Sequence, residues 1–305
     1  MALPVAAGIR RGMGMAGVRC IQAANAILGE GSCWNVAEQC LHWIDIRRPA
    51  LFTYRPGEGQ VAAVPLPRDV GCVAPARDGR IVLADTKGFA LLDRTTGALV
   101  CLGDPEADIP TNRFNDGKVD RAGRFWAGTI DDRCDRPSGS LYRLDADRTI
   151  TRIDTGFLCA NGIGWSPDDR LMYFVDSMAR VIWVYDFDLV SGTVAGRRPF
   201  ARFADDDGVP DGLTVDAEGH VWVAIWDGWR IVRYAPDGTI DRTVAMPVQR
   251  PTSCAFGGAT LETLYVTSAA GGLDAASLRR GPLAGGLFAF EPGVRGLPQP
   301  QAAVG

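Results

Sequence analysis

The chain has 305 residues, of which 47% are hydrophobic, and it carries a formal net charge of −4. A nucleic-acid-binding protein needs a basic face that attracts phosphates, so this charge balance argues against that class of partner. No run of 18 apolar residues occurs, and we therefore expect a soluble, cytoplasmic protein without a membrane-spanning helix.

The N-terminal segment is the first distinct region of the sequence. Residues 1–18 read MALPVAAGIRRGMGMAGV, in which the apolar stretch is too short for a signal peptide and the arginines follow it rather than precede it. We predict that residues 1–18 form a disordered extension and that residues 19–305 form one domain. The length agrees, because all-β domains commonly exceed ~200 residues.

Six units with one pattern follow along the chain. Each unit begins at one residue, runs through a short apolar strand, reaches a turn eight positions later and continues into a second strand rich in β-branched and aromatic residues. The second strands read LHWID, IVLAD, FWAGT, LMYFVD, VWVAIW and LYVTS. The opening residues of the six units are Glu30, Gly71, Asn115, Asn161, Asp211 and Thr252.

The spacing of these units predicts the fold. A repeat of roughly 40 to 50 residues made only of short strands is typical of a β-propeller blade. One small sheet cannot bury both of its apolar faces, so blades pack in a ring around a channel lined by their innermost strands. We therefore predict an all-β fold, a six-bladed β-propeller, in which the six opening residues converge at one end of the channel.

Three of the opening residues, Glu30, Asn161 and Asp211, carry oxygen donors that suit a divalent metal ion. Two carboxylates balance its charge and an amide adds a neutral oxygen, which favours Ca²⁺, Mg²⁺ or Mn²⁺ and leaves Zn²⁺ and Fe²⁺ open. Taken alone, the Asn-Gly and Asp-Gly pairs also fit Asx turns. Glu30 is a poor turn residue, however, and it lies between two glycines that permit close backbone approach.

Histidines and cysteines contribute less to the predicted chemistry. His42 and His220 follow turns on second strands, away from the convergent position, so we exclude them as ligands. The eight cysteines form no CxxC pair and lie mostly in apolar strands, which indicates free thiols in a reducing compartment. Because a Gly-x-Ser-x-Gly motif is absent and no cysteine has a recognisable histidine partner, we do not expect nucleophilic catalysis.

Five segments of the chain resemble a known family. Between about residues 27 and 290, in order and with few gaps, they are similar to the SMP-30/gluconolactonase/regucalcin family. The resemblance implies a metal-dependent sugar lactonase, a hydrolase of carboxylic ester bonds. The segments are LGEGSCW (28–34), RFNDGKVDRAGRFWAGT (113–129), NGIGWSPDDRLMYFVDS (161–177), PDGLTVDAEGHVWVA (210–224), and TSCAFGG with LYVTSA (252–269).

The resemblance also implies roles for single residues. It places the metal ligands on Glu30, Asn161 and Asp211, sets Asn115 beside the metal and lets Arg113 reach the substrate. From the residues alone, Asn115 occupies the convergent position, whereas a salt-bridged strand arginine is an alternative for Arg113. We predict Asp211 as the general base, with direct activation of the water by the metal ion as the alternative.

The sequence departs from the family pattern in two places. The family usually reads GEGP or GESP, whereas Ser32 and Cys33 follow Gly31 here, so we expect a different local turn beside an intact Glu30. In animal relatives an acidic residue shortly after the AGT strand contacts sugar hydroxyls, and the ungapped position here is Arg133. We therefore predict Arg133 as a substrate-binding residue and the loop of residues 131–138 as the determinant of substrate preference.

The predicted reaction is hydrolysis of an aldonolactone of the glucono-, xylono- or arabinono-lactone type to the aldonic acid. One alternative is a calcium-binding regulatory protein of the regucalcin kind without strong turnover, and another is a propeller that serves as an interaction scaffold. We expect a small-molecule partner and a monomer or homodimer.

Overall fold

Nearly the whole chain is β-structure. The computed structural model describes residues 17–305, and within that range it contains 24 strands and one short helix. The strands form six four-stranded antiparallel sheets, which confirms the prediction of an all-β, six-bladed propeller. The predicted disordered extension lies outside the described residues, apart from Gly17 and Val18. No helix in the described range is long and apolar enough to cross a membrane.

Blades 1 to 3 each consist of four strands that follow one another in the chain and pair in that order. Their strands are β2 (Gly29–Asn35), β3 (Cys40–Asp45), β4 (Ala50–Arg55) and β5 (Gln60–Pro65); β6 (Val70–Pro75), β7 (Ile81–Asp85), β8 (Gly88–Leu92) and β9 (Leu99–Gly103); and β10 (Asn112–Val119), β11 (Phe125–Asp131), β12 (Gly139–Leu144) and β13 (Ile150–Phe157).

Blades 4 and 5 repeat this order, and blade 6 takes its outermost strand from the N-terminus. Their strands are β14 (Ala160–Trp165), β15 (Leu171–Asp176), β16 (Val181–Asp188) and β17 (Thr193–Arg202); β18 (Val209–Val215), β19 (Val221–Trp226), β20 (Arg230–Tyr234) and β21 (Ile240–Ala245); and β22 (Pro251–Gly257), β23 (Thr263–Ser268), β24 (Leu287–Phe290) and β1 (Arg19–Gln22). Helix α1 (Ala275–Arg280) lies between β23 and β24.

The ring is closed by strand pairing and by contact between inner strands. β1 pairs with β24 in an antiparallel register that sets Arg19 opposite Ala289 and Cys20 opposite Phe288. Each inner strand contacts the next, and β22 contacts β2. The first and the last strand of the described chain are therefore held in one sheet, and residues distant in sequence meet at the axis.

The hydrophobic core lies between adjacent blades. Six clusters of buried side chains each join two neighbouring sheets, as where Phe89 of blade 2 packs against Phe114 and Phe125 of blade 3. Apolar residues on both faces of each blade are buried in this way, which explains the continuous apolar runs in the sequence.

The turns between first and second strands lie where the sequence predicts them. In each of the six turns one residue has a positive φ, a conformation that favours glycine. These residues are Gln39, Gly79, Gly123, Asp169, Gly219 and Leu261. An acidic or amide side chain caps several of the turns, as where Asp216 Oδ1 accepts hydrogen bonds from the backbone N–H groups of Glu218 and His220.

The C-terminal segment crosses the end of the ring opposite the opening residues. Gly296 forms a bridge with Asp216, and Ala302 forms one with Ala76. Between them, the side chain of Gln299 accepts a hydrogen bond of 2.7 Å from the backbone N–H of Trp34. The segment therefore covers the far end of the channel, and the end with the opening residues remains for a ligand.

Candidate metal centre

The start of every inner strand is irregular. In all six blades the pairing between the first and second strand shifts close to the opening residue. In blade 4 the shift falls between Ala160 and Ile163, and in blade 5 between Pro210 and Leu213. A β-bulge turns a side chain away from the face that it would otherwise occupy. Because of the bulges, the side chains of Asn161 and Asp211 do not follow the regular alternation between the two faces of their sheets.

Glu30, Asn161 and Asp211 lie on β2, β14 and β18, and each is buried, with 6%, 5% and 4% of its surface exposed. Glu30 Oε2 accepts a hydrogen bond of 3.1 Å from the backbone N–H of Gly31. Asn161 Nδ2 donates to Ser177 Oγ at 3.1 Å, which leaves its oxygen free to face another group.

The carboxyl groups at this end of the channel act on one another. Burial, then the charges of Asp211 and Asp116, raise the pKa of Glu30 well above its usual value. Burial and the charge of Asp116 likewise raise the pKa of Asp211 well above its usual value, while Asn161 and the backbone N–H of Gly212 oppose the rise. The structure thus brings together the two acids and the amide that the sequence selects.

The residues fit a hard divalent cation. Asn161 Oδ1 and Asp211 Oδ1 are buried and accept no hydrogen bond from the described residues. A buried oxygen without a partner is costly, and a cation removes that cost. Carboxylate and amide oxygens are also the ligand types that Ca²⁺ and Mg²⁺ prefer. The three side chains therefore meet both the chemical and the electrostatic requirement for an ion.

A third acid and a lysine complete the charge distribution, and the sequence analysis missed both. Asp116 is buried and accepts a hydrogen bond from the backbone N–H of Gly117 at 2.7 Å. Lys118 Nζ donates to the carbonyl oxygen of Leu213 at 2.7 Å. Burial raises the pKa of Asp116, and the charge of Lys118 opposes the rise. When all four groups are ionised, the three carboxylates and the ammonium carry a formal charge of −2, which a divalent ion balances. The sequence does contain a clue to Asp116, because this residue directly follows Asn115, which occupies the convergent position.

Arg113 and Asn115 lie at the mouth of the site. Arg113 donates to Asn115 Oδ1 at 3.0 Å and to Asp132 Oδ1 at 2.6 Å. Asn115 Nδ2 donates in turn to the carbonyl oxygen of Ala160 at 3.0 Å. Arg133 is exposed. Asp132, one residue earlier, is also exposed, and it is the acidic residue of this loop that contacts Arg113. The role of Arg133 in substrate binding stays a prediction.

In the described part of the chain, two groups of three His, Cys, Asp or Glu residues bring potential ligand atoms within 4.8 Å of one another, and neither contains Glu30 or Asp211. The first consists of Glu38, Cys40 and His42. In the first, Glu38 is paired with Arg55 and Arg94, and His42 bonds Thr53. Burial and the charge of Arg94 lower the pKa of His42 to about 4.

The second cluster contains Asp216, Glu218 and His220. The guanidinium of Arg233 forms ion pairs with both acids, at 2.7 and 2.6 Å. Arginine thus already neutralises the carboxylates of both clusters, which agrees with leaving His42 and His220 out of the ligand set.

A glycine beside Asn161 permits the close approach of β14 to β18. A Cβ atom at Gly162 would lie 2.4 Å from the backbone nitrogen of Leu213 and 2.6 Å from the carbonyl oxygen of Asp211. We expect Gly162→Ala to lower stability by about 2 to 3 kcal/mol. We also expect it to weaken cation binding at least about tenfold by separating the two ligand strands, as measured by thermal unfolding and titration calorimetry.

Gly164 provides a matched control on the same strand. Its added Cβ would meet side-chain atoms first, at 2.9 Å from Leu213 Cδ1 and 3.1 Å from Val215 Cγ2, while the backbone nitrogen of Val215 lies 4.0 Å away. Because side chains adjust more easily than backbone, we expect Gly164→Ala to cost about 1 kcal/mol and to leave cation affinity unchanged. Equal cation affinities in the two variants would contradict this account of the centre.

Comparison with known proteins agrees with this architecture. The sequence profile of the SMP-30/Gluconolactonase/LRE-like region matches residues 28–270. The chain is 37% identical over 289 residues to the 6-deoxy-6-sulfogluconolactonase of Pseudomonas putida, covering 93% of this chain and 97% of the relative. It is 35% identical over 285 residues to the regucalcin of Danio rerio, covering 92% and 96%.

A solved structure gives the same result in three dimensions. The crystal structure of a calcium-binding protein, regucalcin, from Agrobacterium tumefaciens superposes with a TM-score of 0.88 at 30% sequence identity. The match covers 94% of this chain and 97% of that protein. The similarity thus extends over the whole ring and not over single blades.

Proposed function

Because the chain belongs to the SMP-30/Gluconolactonase/LRE-like family, we propose that it is a metal-dependent sugar lactonase that hydrolyses an aldonolactone to the aldonic acid. The similarity to a sulfogluconolactonase supports ester hydrolysis on a sugar ring. The observation that carries the metal dependence is the pair of buried, unpartnered oxygens, Asn161 Oδ1 and Asp211 Oδ1, beside two further carboxylates.

The proposed reaction uses a bound cation and the side chain of Asp211 in different roles. When bound by Glu30, Asn161 and Asp211, a divalent cation would polarise the lactone carbonyl and stabilise the negative charge of the tetrahedral intermediate. Asp211 is the general base, since one of its oxygens can bind the ion while the other accepts the proton of the attacking water. Burial of the site keeps bulk water from screening these charges.

The residues at the mouth position the substrate. Arg113 is held by Asp132 and Asn115, so its guanidinium has one fixed orientation before substrate arrives. Fixed donors lower the entropic cost of orienting a sugar, a contribution to binding and alignment and not to the proton transfer itself. Arg133 is exposed on the same loop, where it can meet a substituent that projects from the sugar.

A lactone panel tests the proposal. Metal-free protein is assayed by pH-stat on glucono-, xylono- and arabinono-lactones and on a 6-sulfonated gluconolactone, with Ca²⁺, Mg²⁺, Mn²⁺, Zn²⁺ or Fe²⁺ added singly. We expect turnover of at least one lactone that requires an added ion and is abolished by a chelator. Turnover that is unaffected by chelation would contradict the metal dependence.

Arg113→Ala separates substrate positioning from metal binding. We expect KM to rise about tenfold and kcat to change less, because the guanidinium binds substrate without taking part in proton transfer. Titration calorimetry should give an unchanged cation affinity. A loss of cation affinity equal to that of a ligand variant would instead make Arg113 a structural element of the centre.

The alternative is a calcium-binding protein without strong turnover, which the regucalcin relatives favour. It predicts tight Ca²⁺ binding by calorimetry together with no acid release from any lactone of the panel. The same two measurements therefore decide between the proposals.

A further inference from the structure

Two cysteine sulfurs meet at the rim of the candidate metal centre. Cys134 Sγ donates a hydrogen bond to Cys159 Sγ at 3.1 Å, and both residues are free thiols. Among the described residues this is the one sulfur–sulfur contact of hydrogen-bonding length. A disulfide has an S–S length of about 2.05 Å, so an approach of about 1 Å separates the pair from a covalent bond.

The backbone on both sides keeps the two thiols together. Cys159 directly precedes β14, and it forms an antiparallel bridge with Ile130 at the end of β11. Cys134 lies in the loop after β11, where its N–H donates to the carbonyl oxygen of Asp131 at 2.7 Å and its φ is +54°. The loop thus turns back sharply and directs the Cys134 side chain toward the neighbouring blade.

The two thiols differ in access and reactivity. Cys159 is buried, with 8% of its surface exposed, whereas Cys134 is partly exposed. When Cys134 ionises, the Cys159 thiol donates the hydrogen bond to the Cys134 thiolate. This lowers the pKa of Cys134 despite burial, and the charge of Arg113 contributes. An accessible thiol that ionises easily next to a second, sheltered thiol is the arrangement found in redox-sensing cysteine pairs.

The pair also belongs to the network that holds the substrate-positioning residues. Asp132, two residues before Cys134, bonds Arg113, and Arg113 bonds Asn115. Asn115 in turn bonds the carbonyl of Ala160, the residue after Cys159. The two thiols and these side chains therefore form a closed ring of contacts, and a change at the sulfurs acts on the rest of it.

We propose that Cys134 and Cys159 are a redox switch, in which a hydroperoxide converts the two thiols to a disulfide that impairs the adjacent catalytic site. The Cys134 thiolate attacks the peroxide, gains one oxygen as a sulfenic acid and releases water from hydrogen peroxide. The Cys159 sulfur then displaces the sulfenic oxygen as a second water. Two thiols lose two electrons and two protons in total, and one peroxide is reduced to two waters.

The effect on activity rests on the proposed lactonase function, whereas the cross-link does not. Shortening the S–S distance by about 1 Å draws the loop toward β14 and changes the position of Asp132 relative to Arg113. Because displacements of this size at a positioning group cost up to ~10²-fold in rate, we expect kcat/KM to fall about 10- to 100-fold. A thiol reductant should restore it.

The experiment treats reduced, Ca²⁺-loaded full-length protein with hydrogen peroxide and maps its tryptic peptides by mass spectrometry. We expect residues 134–143 and 153–170 to appear as one linked species that is lighter than the two free peptides by two hydrogens. Lactonase kinetics and Ca²⁺ titration are measured before oxidation, after it, and again after dithiothreitol.

Three variants make the result specific. Cys134→Ser and Cys159→Ser should each lose the response to peroxide, measured as the ratio of oxidised to reduced activity in the same variant. Cys101→Ser, which removes an exposed thiol on β9, should respond as the wild type does. Equal inhibition of wild type and Cys134→Ser, or the absence of the linked species, would overturn the proposal.

Two further outcomes are also decisive. A linked species that leaves kcat/KM unchanged would refute the switch. If the reduced wild type shows no lactonase turnover at all, the proposed function fails by itself. The linked species together with a reversible change in Ca²⁺ affinity would then still support the switch at this site, and an unchanged affinity would reject it.

Discussion

Replacing Asp211 by asparagine should abolish turnover while the fold is retained. The substitution keeps the shape of the side chain but removes a buried negative charge and the oxygen that accepts a proton. Because a general base alone contributes ~10²- to 10⁴-fold, and cation binding is weakened as well, we expect kcat/KM to fall at least ~10³-fold. The lactone assay and Ca²⁺ calorimetry on the same preparation measure both losses.

The matched control for this variant is Asp205→Asn. Asp205 lies in the loop before β18, with its side chain fully exposed and paired only with Arg180 at 3.4 Å. An exposed pair contributes little to stability, so activity, cation affinity and melting temperature should all stay close to wild type. Full, chelator-sensitive turnover in Asp211→Asn would remove Asp211 from the reaction and leave direct activation of water by the cation.

Adding a divalent cation to the metal-free protein should stabilise it strongly at alkaline pH and little at acidic pH. At a cation concentration of 100 times Kd, linkage gives about 2.7 kcal/mol, or a rise of about 5 °C in Tm for a chain of this size. Thermal unfolding with and without Ca²⁺ at pH 5 and pH 8 measures the difference.

The direction of the pH effect follows from the raised pKa values of Glu30 and Asp211. A carboxyl with a raised pKa holds its proton more tightly in the folded state than in the unfolded state. The contribution of these two groups to the stability of the metal-free protein is therefore fully present below the unfolded pKa of about 4 and is lost as the pH rises through the folded-state pKa. A bound cation takes the place of the protons on Glu30 and Asp211. Its stabilising effect therefore grows as the pH rises over the same range.

The variant Glu30→Gln tests this explanation by measurements of stability alone, without an activity assay. Without its cation, the variant should be more stable than wild type at pH 8, because one of three neighbouring buried acids is neutral. It should also gain less from Ca²⁺, since one ligand charge is lost. A variant that is less stable than metal-free wild type at pH 8, with an undiminished response to Ca²⁺, would show that these carboxyl groups do not repel one another.

Much of the architecture was predictable because its determinants repeat locally. The turn eight residues after each opening residue is encoded by glycine and polar residues in the turn itself, as at Gly79, Gly123 and Gly219. The six-bladed propeller and the family are confirmed. The selection of Glu30, Asn161 and Asp211 came from their common position in the repeat, and their role as ligands stays a prediction.

Other features depended on the path of the chain between blades. Asp132 bonds Arg113, and this contact depends on the conformation of the loop after β11, which the sequence does not reveal. Asp116 acts on Glu30 and Asp211 only once the inner strands stand side by side around the axis.

The sequence by itself determined the repeat, the number of blades and the residues at the convergent position, since strand periodicity and turn chemistry act within a few residues. Only the tertiary structure decided the charge balance around Lys118 and the contact between Cys134 and Cys159. Those interactions join separate strands and loops, and their distances are fixed by ring closure and packing between blades, which no local pattern encodes.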